Sequence, residues 1–344
     1  MKKKREPSNK KNGMKIPWPN GVLAAAFLFG ALCGYFIQKY VPGGNQGSLP
    51  IAETRPGGYE FINPLLECDM AQDTVEGKDL VLLKQKVRAL IDEKKIQRGI
   101  SHVSLYYRDL NNGPWIGVDE RASFSPASLL KVPFMMAILK EAETNANLLQ
   151  KKYTYLDPVD SNALEHFKPS KEIERGKPYT AEELIRFTVA HSDNNAYFLL
   201  LRNFPQDKLV KVYKDLGVDV PYDRKGEDFM SVKEYASFFR ILFNASYLNR
   251  DMSTKALRIL SAVDYKNGIV AGVPSSVRVV HKFGERTLGP KLETKQLHDC
   301  GIVYYPNHPY LLCVMTRGSS FESLNEIVTD VSRLIYRELD SQYK

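Results

Sequence analysis

The sequence has 344 residues, of which 43% are hydrophobic and 26% are charged, a composition typical of a folded globular protein. Its net charge of +8 suggests a nucleic-acid-binding protein until the charges are located. Seven basic residues and one glutamate lie within residues 1–17, so this segment carries +6 and the rest of the chain only +2. The nearly neutral body excludes nucleic acid as a partner.

The N-terminal segment predicts a membrane anchor. A basic tail, residues 1–20, precedes the predicted transmembrane segment, residues 21–40, which contains an uncharged run from Gly21 to Ile37. A helix of this run is about 26 Å long and just spans a bilayer core. Because positive charges stay in the cytoplasm, we expect a single-pass protein of the cell membrane, with a cytoplasmic N-terminus and an extracytoplasmic domain. The alternative is a cleaved signal peptide, although no Ala-x-Ala-like site follows the run.

Residues 41–78 are rich in proline and glycine near their start and predict a linker between the anchor and a folded domain. Of the four cysteines, Cys33 lies in the anchor. Cys68 could pair with Cys300 or Cys313 in an oxidising compartment, or all three could be free buried thiols. No Cys-x-x-Cys motif occurs and the six histidines are scattered, so we expect neither a metal site nor a cofactor.

Residues 79–344 predict one domain with the order helix, two strands, a long helical middle, three strands and a closing helix. Apolar spacing predicts helices at Asp79–Ile96 and Leu324–Leu339. Terminal helices on one face of an antiparallel sheet, with an inserted all-helical lobe, predict an α/β fold in the form of an α+β sandwich. The other expected elements are strands at His102–Arg108 and Trp115–Val118 joined by an Asn-Gly turn, mostly helical structure from Ser125 to Phe204, and strands at Arg278–Phe283, Cys300–Tyr305 and Tyr310–Thr316.

The first of three short motifs is Ser-Leu-Leu-Lys at residues 128–131. Ser125 as N-cap and Pro126 at the first helical position predict a helix start, which places Ser128 in the first turn. Free backbone N–H groups and the helix dipole favour a developing alkoxide there. Lys131 lies on the same helix face, where a desolvated lysine can lose its proton and act as a base. The same spacing at residues 8–11, in the tail, shows that this motif alone is not specific.

The second motif is Ser192-Asp193-Asn194, between a helix that begins at a capping box and a second apolar helix. We expect Ser192 to relay a proton to a leaving nitrogen and Asn194 to hold a substrate amide. Asp193 is expected to brace the loop. A plain turn between helices has the same composition and is the alternative interpretation.

The third motif, Lys282-Phe283-Gly284, ends a strand rich in β-branched residues. If this strand lies at a sheet edge beside the nucleophile, it can bind substrate backbone. Lys282 would then face a substrate carboxylate, and Gly284 would allow close backbone approach. The N–H of Glu285 would pair with that of Ser128 as an oxyanion hole. An exposed strand end is the alternative.

In this order the three motifs resemble those of class A β-lactamases and penicillin-recognising serine hydrolases. The resemblance extends from about residue 79 to 343 and includes the segments Phe124–Pro133 and Ala190–Ala196. It implies a β-lactamase/transpeptidase-like fold and a monomeric enzyme that acts on a small-molecule β-lactam or a peptidoglycan peptide without a cofactor. The residues it implies are catalytic Ser128, Lys131 and Ser192 and substrate-binding Asn194, Lys282, Gly284 and Glu285.

Two departures from the class A pattern affect the expected activity. Class A enzymes carry a glutamate that activates the deacylating water, four residues before an asparagine. The corresponding stretch here contains only Glu227, a candidate deacylation base, and Ser231 replaces the asparagine. Phe283 replaces a small hydroxyl residue, so a donor is lost and the cleft is expected to narrow. We therefore expect slow deacylation, as in a D,D-peptidase or penicillin-binding protein. A catalytically silent domain that binds wall peptides is the alternative.

Overall fold

The computed structural model describes residues 53–55, 57–65, 67–68, 80–111, 113–217, 228–289 and 291–343. The predicted tail and anchor, most of the predicted linker and Glu227 lie outside these ranges. Across the described ranges, no helix combines the length and the apolar character that crossing a bilayer requires. Most of the predicted domain, residues 79–344, lies inside them.

The described elements follow the predicted order. The α-helices are α1 Val81–Arg98, α2 Lys131–Ala142, α3 Ala181–Ala190, α4 Asn194–Asn203, α5 Gln206–Asp215, α6 Val232–Asn244, α7 Arg250–Ser261 and α8 Phe321–Tyr343. The strands are β1 Glu53–Thr54, β2 Glu67–Cys68, β3 Ile100–Asp109, β4 Trp115–Val118, β5 Ser123–Phe124, β6 Lys152–Thr154, β7 Pro178–Thr180, β8 Met230–Ser231, β9 Val279–Leu288, β10 Thr294–Val303 and β11 Tyr310–Gly318. Both predicted terminal helices and all five predicted strands are confirmed, although β3, β9, β10, β11 and α8 are longer than predicted.

Five strands form one antiparallel sheet in the order β4-β3-β11-β10-β9. β3 and β4 form the predicted hairpin, with Arg108 opposite Trp115. β9 carries the third motif and lies at the edge of the sheet, as the β-augmentation argument requires.

The cysteine pairing differs from both expected arrangements. An S–S bond joins Cys300 to Cys313, whose Cα atoms are 4.0 Å apart. The prediction that either residue pairs with Cys68, and the alternative of three free thiols, are therefore wrong. The reason is register, because neighbouring strands β10 and β11 place these two residues directly opposite each other.

The sheet lies between two helical layers. On one face, Val87 of α1 and Ile327 of α8 are fully buried against sheet residues such as Leu105. On the other face, Met136 of α2 and Phe239 of α6 belong to the core of the helical lobe. Each such side chain contributes about 1.5–3 kcal/mol through the apolar area it removes from water. These two layers confirm the predicted α+β sandwich with an inserted helical lobe.

The segment from Ser125 to Phe204 is less helical than predicted. Between α2 and α3 it contains the short antiparallel pair β6–β7 and an irregular stretch, residues 155–177, that we call the cleft loop. Polar side chains in this loop bond to nearby backbone instead of leaving it to a helix, as when Asp160 Oδ1 accepts from the N–H of Asn162 at 2.9 Å. Side-chain contacts of this kind hold the loop in place, and the residues that make them do not recur at helical spacing.

Candidate active site

A cleft of about 1420 Å³ contains four of the predicted site residues in its lining. The helical lobe supplies Ser128, Lys131 and Asn194, and the edge strand β9 supplies Glu285. The cleft loop adds a residue that was not predicted, Glu165. Of the other predicted residues, Glu227 lies outside the described ranges, and Ser192, Lys282 and Gly284 lie next to residues of this lining.

Ser128 lies in a 3₁₀ turn, residues 127–130, directly before α2, and its side chain is half-buried in the cleft. Ala127 has a φ of 50°, which L residues rarely adopt, so the turn before the nucleophile is tight. A methyl group at Gly284 would come within 2.9 Å of Pro126 O and 3.1 Å of Leu129 N. Gly284 therefore permits the close approach that was predicted, and strand β9 lies against the turn that carries Ser128.

The predicted N-cap role of Ser125 is wrong. Its backbone N–H donates to Gln296 Oε1 at 3.1 Å, and its carbonyl oxygen lies 3.0 Å from His298 Nε2. Its hydroxyl accepts from Arg286 at 3.1 Å. The 3₁₀ turn and α2 both begin without a side-chain cap. Side chains of the sheet, rather than a helix cap, hold the segment that precedes Ser128.

Lys131 is deeply buried in the cleft lining, with only 2% of its surface exposed. Its ammonium group donates to Ser192 O at 2.7 Å, Ser192 Oγ at 3.3 Å and Asn194 Oδ1 at 2.6 Å. Burial lowers the pKa of Lys131 to about 8, although the carboxylates of Glu165 and Asp193 oppose the shift. No hydrogen bond of the described residues joins Ser128 Oγ to Lys131 Nζ, because the ammonium protons are used elsewhere.

Lys282 is fully buried rather than open to the cleft. Its Nζ donates to Ser192 Oγ at 3.0 Å and to Phe283 O at 2.9 Å. Burial, followed by the nearby charge of Lys131, lowers the pKa of Lys282 well below its usual value. Two lysines thus converge on the hydroxyl of Ser192, a residue with a φ of 59° between α3 and α4.

Asp193 braces the loop of the second motif, as predicted. It is fully buried, and its carboxylate accepts from Ile173 N at 2.8 Å and Asn195 N at 2.8 Å. It also accepts from the side chain of Asn162 at 2.9 Å. The Oδ1 atom of Asn162 accepts from the N–H of Asn194 at 2.8 Å, so the cleft loop and the start of α4 share one buried polar network.

Sequence reasoning missed Asn162 and Glu165. Asn162 is 2% exposed, and Glu165 Oε1 accepts from Asn194 Nδ2 at 2.7 Å. Both residues lie in the cleft loop, which has no apolar period and no motif. The excess of Asp, Asn, Ser and Glu between residues 157 and 174 was the available signal, but it predicts a loop in general rather than this contact.

Comparison with known proteins identifies the family. A model of the Beta-lactamase enzyme family matches residues 82–339. The chain belongs to the Beta-lactamase enzyme family. No curated protein sequence matches it.

Several solved structures share the fold of this chain. The chain is 20% identical to PBP-A, with 76% of this chain and 97% of PBP-A covered and a TM-score of 0.62. A β-lactamase from Chitinophaga pinensis is 19% identical over 74% of this chain and 98% of its own, with a TM-score of 0.64. TLA-3 extended-spectrum β-lactamase is 17% identical over 76% and 99%, also with a TM-score of 0.64. At these identities the likeness concerns the fold alone.

Phe283 is one of two positions, with Ser231, at which the described residues depart from the class A pattern. Its side chain is absent from the cleft lining and 5% exposed, so the expected narrowing of the cleft is wrong. The ring stacks on Tyr265 with centroids 4.0 Å apart and meets Phe167 of the cleft loop edge-on at 6.0 Å. Phe283 therefore anchors the cleft loop to β9. The predicted loss of a hydroxyl donor stands.

His298 is expected to make stability depend on pH. Its Nδ1 accepts from Thr316 N at 3.2 Å, so Nε2 carries the proton and donates to Ser125 O. Burial lowers its pKa from 6.5 to about 4. As the pH falls, His298 therefore becomes protonated in the unfolded chain before it does so in the folded protein. The free energy of unfolding is expected to decrease by about 3 kcal/mol as the pH falls from 6.5 towards 4.

Denaturant unfolding of the wild type and of His298→Gln between pH 7 and pH 4 checks this expectation. The free energy of unfolding should fall more steeply with acid in the wild type, because glutamine does not titrate. Parallel curves for the two proteins would contradict it.

Proposed function

We propose that this protein is a serine hydrolase whose Ser128 attacks the amide carbonyl of a β-lactam or a related peptidoglycan peptide and forms an acyl-enzyme. The observation that carries the proposal is Lys131. It is buried three residues after Ser128 in the same cleft, with a pKa lowered to about 8. A lysine in this state is neutral in a useful fraction of molecules near neutral pH and can act as a base.

The chemistry follows from these contacts. Neutral Lys131 accepts the proton of Ser128 Oγ as that oxygen bonds to the carbonyl carbon. The carbonyl oxygen becomes an oxyanion beside the backbone N–H groups of Ser128 and Glu285. Lys131 then passes a proton through Ser192 Oγ, 3.3 Å away, to the amide nitrogen as the C–N bond breaks. An ester on Ser128 remains, and water hydrolyses it in the second step. Lys282, which donates to the same hydroxyl, favours transfer in this direction.

A relative supports the acylation step. A single-substitution mutant of PBP-A, 20% identical to this chain, has been solved as an acyl-enzyme complex with penicillin G. We infer that deacylation is slow here, as in a D,D-peptidase or penicillin-binding protein. The missing hydroxyl at Phe283 and the replacement of the family's asparagine by Ser231 support this inference. Glu227 stays the candidate deacylation base.

The second candidate function is a catalytically silent domain that binds wall peptides. The absence of a hydrogen bond between Ser128 Oγ and Lys131 Nζ favours it. Against it stand the depressed pKa of Lys131 and the convergence of two lysines on Ser192, which a binding surface does not require.

The mass of the intact full-length protein, followed over time after addition of penicillin G, tests the proposal. A stable adduct mapped to Ser128 supports an acyl-enzyme with slow deacylation. An adduct that forms and clears, with hydrolysed penicillin accumulating, supports the lactamase activity. If no adduct forms at any time with penicillin G or with a D-Ala-D-Ala peptide ester, the acylation proposal is wrong and the silent domain is favoured.

A further inference from the structure

A carboxyl pair spans one end of the cleft. Glu285 on β9 and Glu165 of the cleft loop both line the cleft, close enough for their carboxyl groups to share a hydrogen bond. Glu285 Oε1 also accepts from the N–H of Phe167 at 2.6 Å. Two carboxyl groups bond to each other only while one of them carries a proton. Burial of Glu285, together with the charge of Glu165, raises its pKa to about 7 and keeps that proton in place at mildly acidic pH.

Hydrogen bonds connect this pair to the lysine at the nucleophile. Glu165 Oε1 accepts from Asn194 Nδ2 at 2.7 Å. Asn194 Oδ1 in turn accepts from Lys131 Nζ at 2.6 Å. A continuous chain of contacts therefore leads from Glu285 on the edge strand to Lys131, and the charge of Glu165 acts on Lys131 directly.

We propose that Glu285 is a positioning residue for the reaction at Ser128. By sharing one proton with Glu165 it sets the charge of the carboxyl pair, and that charge sets the fraction of Lys131 that is neutral and able to act as a base. This inference rests on the proposed function for the role of Lys131. It assigns to the Glu285 side chain a task separate from that of its backbone N–H.

The charge of the carboxyl pair determines whether Lys131 gains or loses its proton more easily. Below about pH 7 the pair carries one negative charge, and above it two, because the shared proton is lost. The second charge stabilises the ammonium form of Lys131, so that at any given pH above about 7 a smaller fraction of Lys131 is neutral than a pair with one charge would allow. The other charged or titratable groups that face the pair or line the same cleft are Lys131, His166, Tyr197, Tyr265, Lys282, Arg286, Lys295 and Glu322, and Asp193 acts on Lys131.

Glu285→Gln separates a charge effect from a structural one. The glutamine oxygen can still accept from Phe167, and its amide can donate to Glu165, but the pair can carry only one charge because glutamine does not ionise. We expect the rate of penicillin labelling of the variant, relative to the wild type, to rise about 1.5- to twofold between pH 6 and pH 8, since a fall of half a unit or more in a pKa of about 8 raises the neutral fraction of Lys131 at pH 8 from about one half to three quarters or more. Glu322→Gln removes a carboxylate from the same cleft and leaves the pair intact. Its labelling rate relative to the wild type should not change between pH 6 and pH 8.

A ratio for Glu285→Gln that does not change with pH would overturn the proposal, because a merely structural role predicts a constant factor. Should that variant fail to fold, Glu165→Gln replaces it, and Lys131 should then lose its proton at lower pH.

A second measurement needs no acylation. Lysine labelled with ¹³C at Cε reports the protonation of Lys131 by NMR, with the signal assigned through Lys131→Met. Lys131 should titrate at lower pH in Glu285→Gln than in the wild type. If penicillin never labels the wild type but this difference appears, the proposed function fails and the coupling stands. If labelling occurs and the lysine titrations coincide, the coupling fails alone.

Discussion

Replacing Lys131 by methionine is expected to slow the labelling of Ser128 by penicillin G by about 10³-fold or more, because a positioned general base contributes about 10²–10⁴-fold to such a step. Methionine fills a similar volume in a site that is 2% exposed but accepts no proton from Ser128. Labelling by the wild type should also rise with pH through about 8 as Lys131 loses its proton. Intact-mass measurement of the labelling rate between pH 6 and pH 9 checks both expectations.

Lys140→Met is the matched control, since it changes a lysine of the same helix whose Nζ bonds to Glu143 and Tyr247 on the far side from the cleft. Its labelling rate should stay within about twofold of the wild type. Ser128→Ala should show no adduct. Wild-type rates for Lys131→Met would place the base elsewhere, and Lys282 would become the next residue to replace.

Replacing Asp193 by alanine is expected to lower the free energy of unfolding by about 3 to 4 kcal/mol, because buried donors that lose their acceptor cost about 1–3 kcal/mol each. The donors concerned are the N–H groups of Ile173, Asn195 and Ala196 and the side-chain amide of Asn162. The cleft loop should loosen as well, since Ile173 belongs to it. Urea unfolding measures the first effect, and hydrogen exchange at residues 155–177 the second.

Asp193→Asn keeps one acceptor and should lose about half as much stability. Asp207→Ala is the control, because Asp207 is an exposed residue in the first turn of α5 and its loss should change stability by less than about 0.5 kcal/mol. If Asp193→Ala were as stable as this control, the buried network around the second motif would not hold the loop.

The sequence by itself determined the parts of the fold that depend on neighbouring residues. The apolar period predicted α1 and α8, and the capping box predicted the start of α3 at Thr180 and Glu183, which the structure confirms. The order of the three motifs predicted the family, because each motif keeps its residues within a span of four. The membrane anchor at residues 21–40 stays a prediction.

Only the tertiary structure decided how these parts meet. The bond between Cys300 and Cys313 follows from strand register. The side chains that form hydrogen bonds with Ser125 belong to residues more than 160 positions away in the sequence. Phe283 packs beneath the cleft loop instead of narrowing the cleft, and Glu285 reaches Glu165 across 120 residues of chain. Such contacts join segments far apart in sequence through side chains with no local period. Local propensity therefore carries no information about them, and the packing of the sheet against the helical lobe decides them.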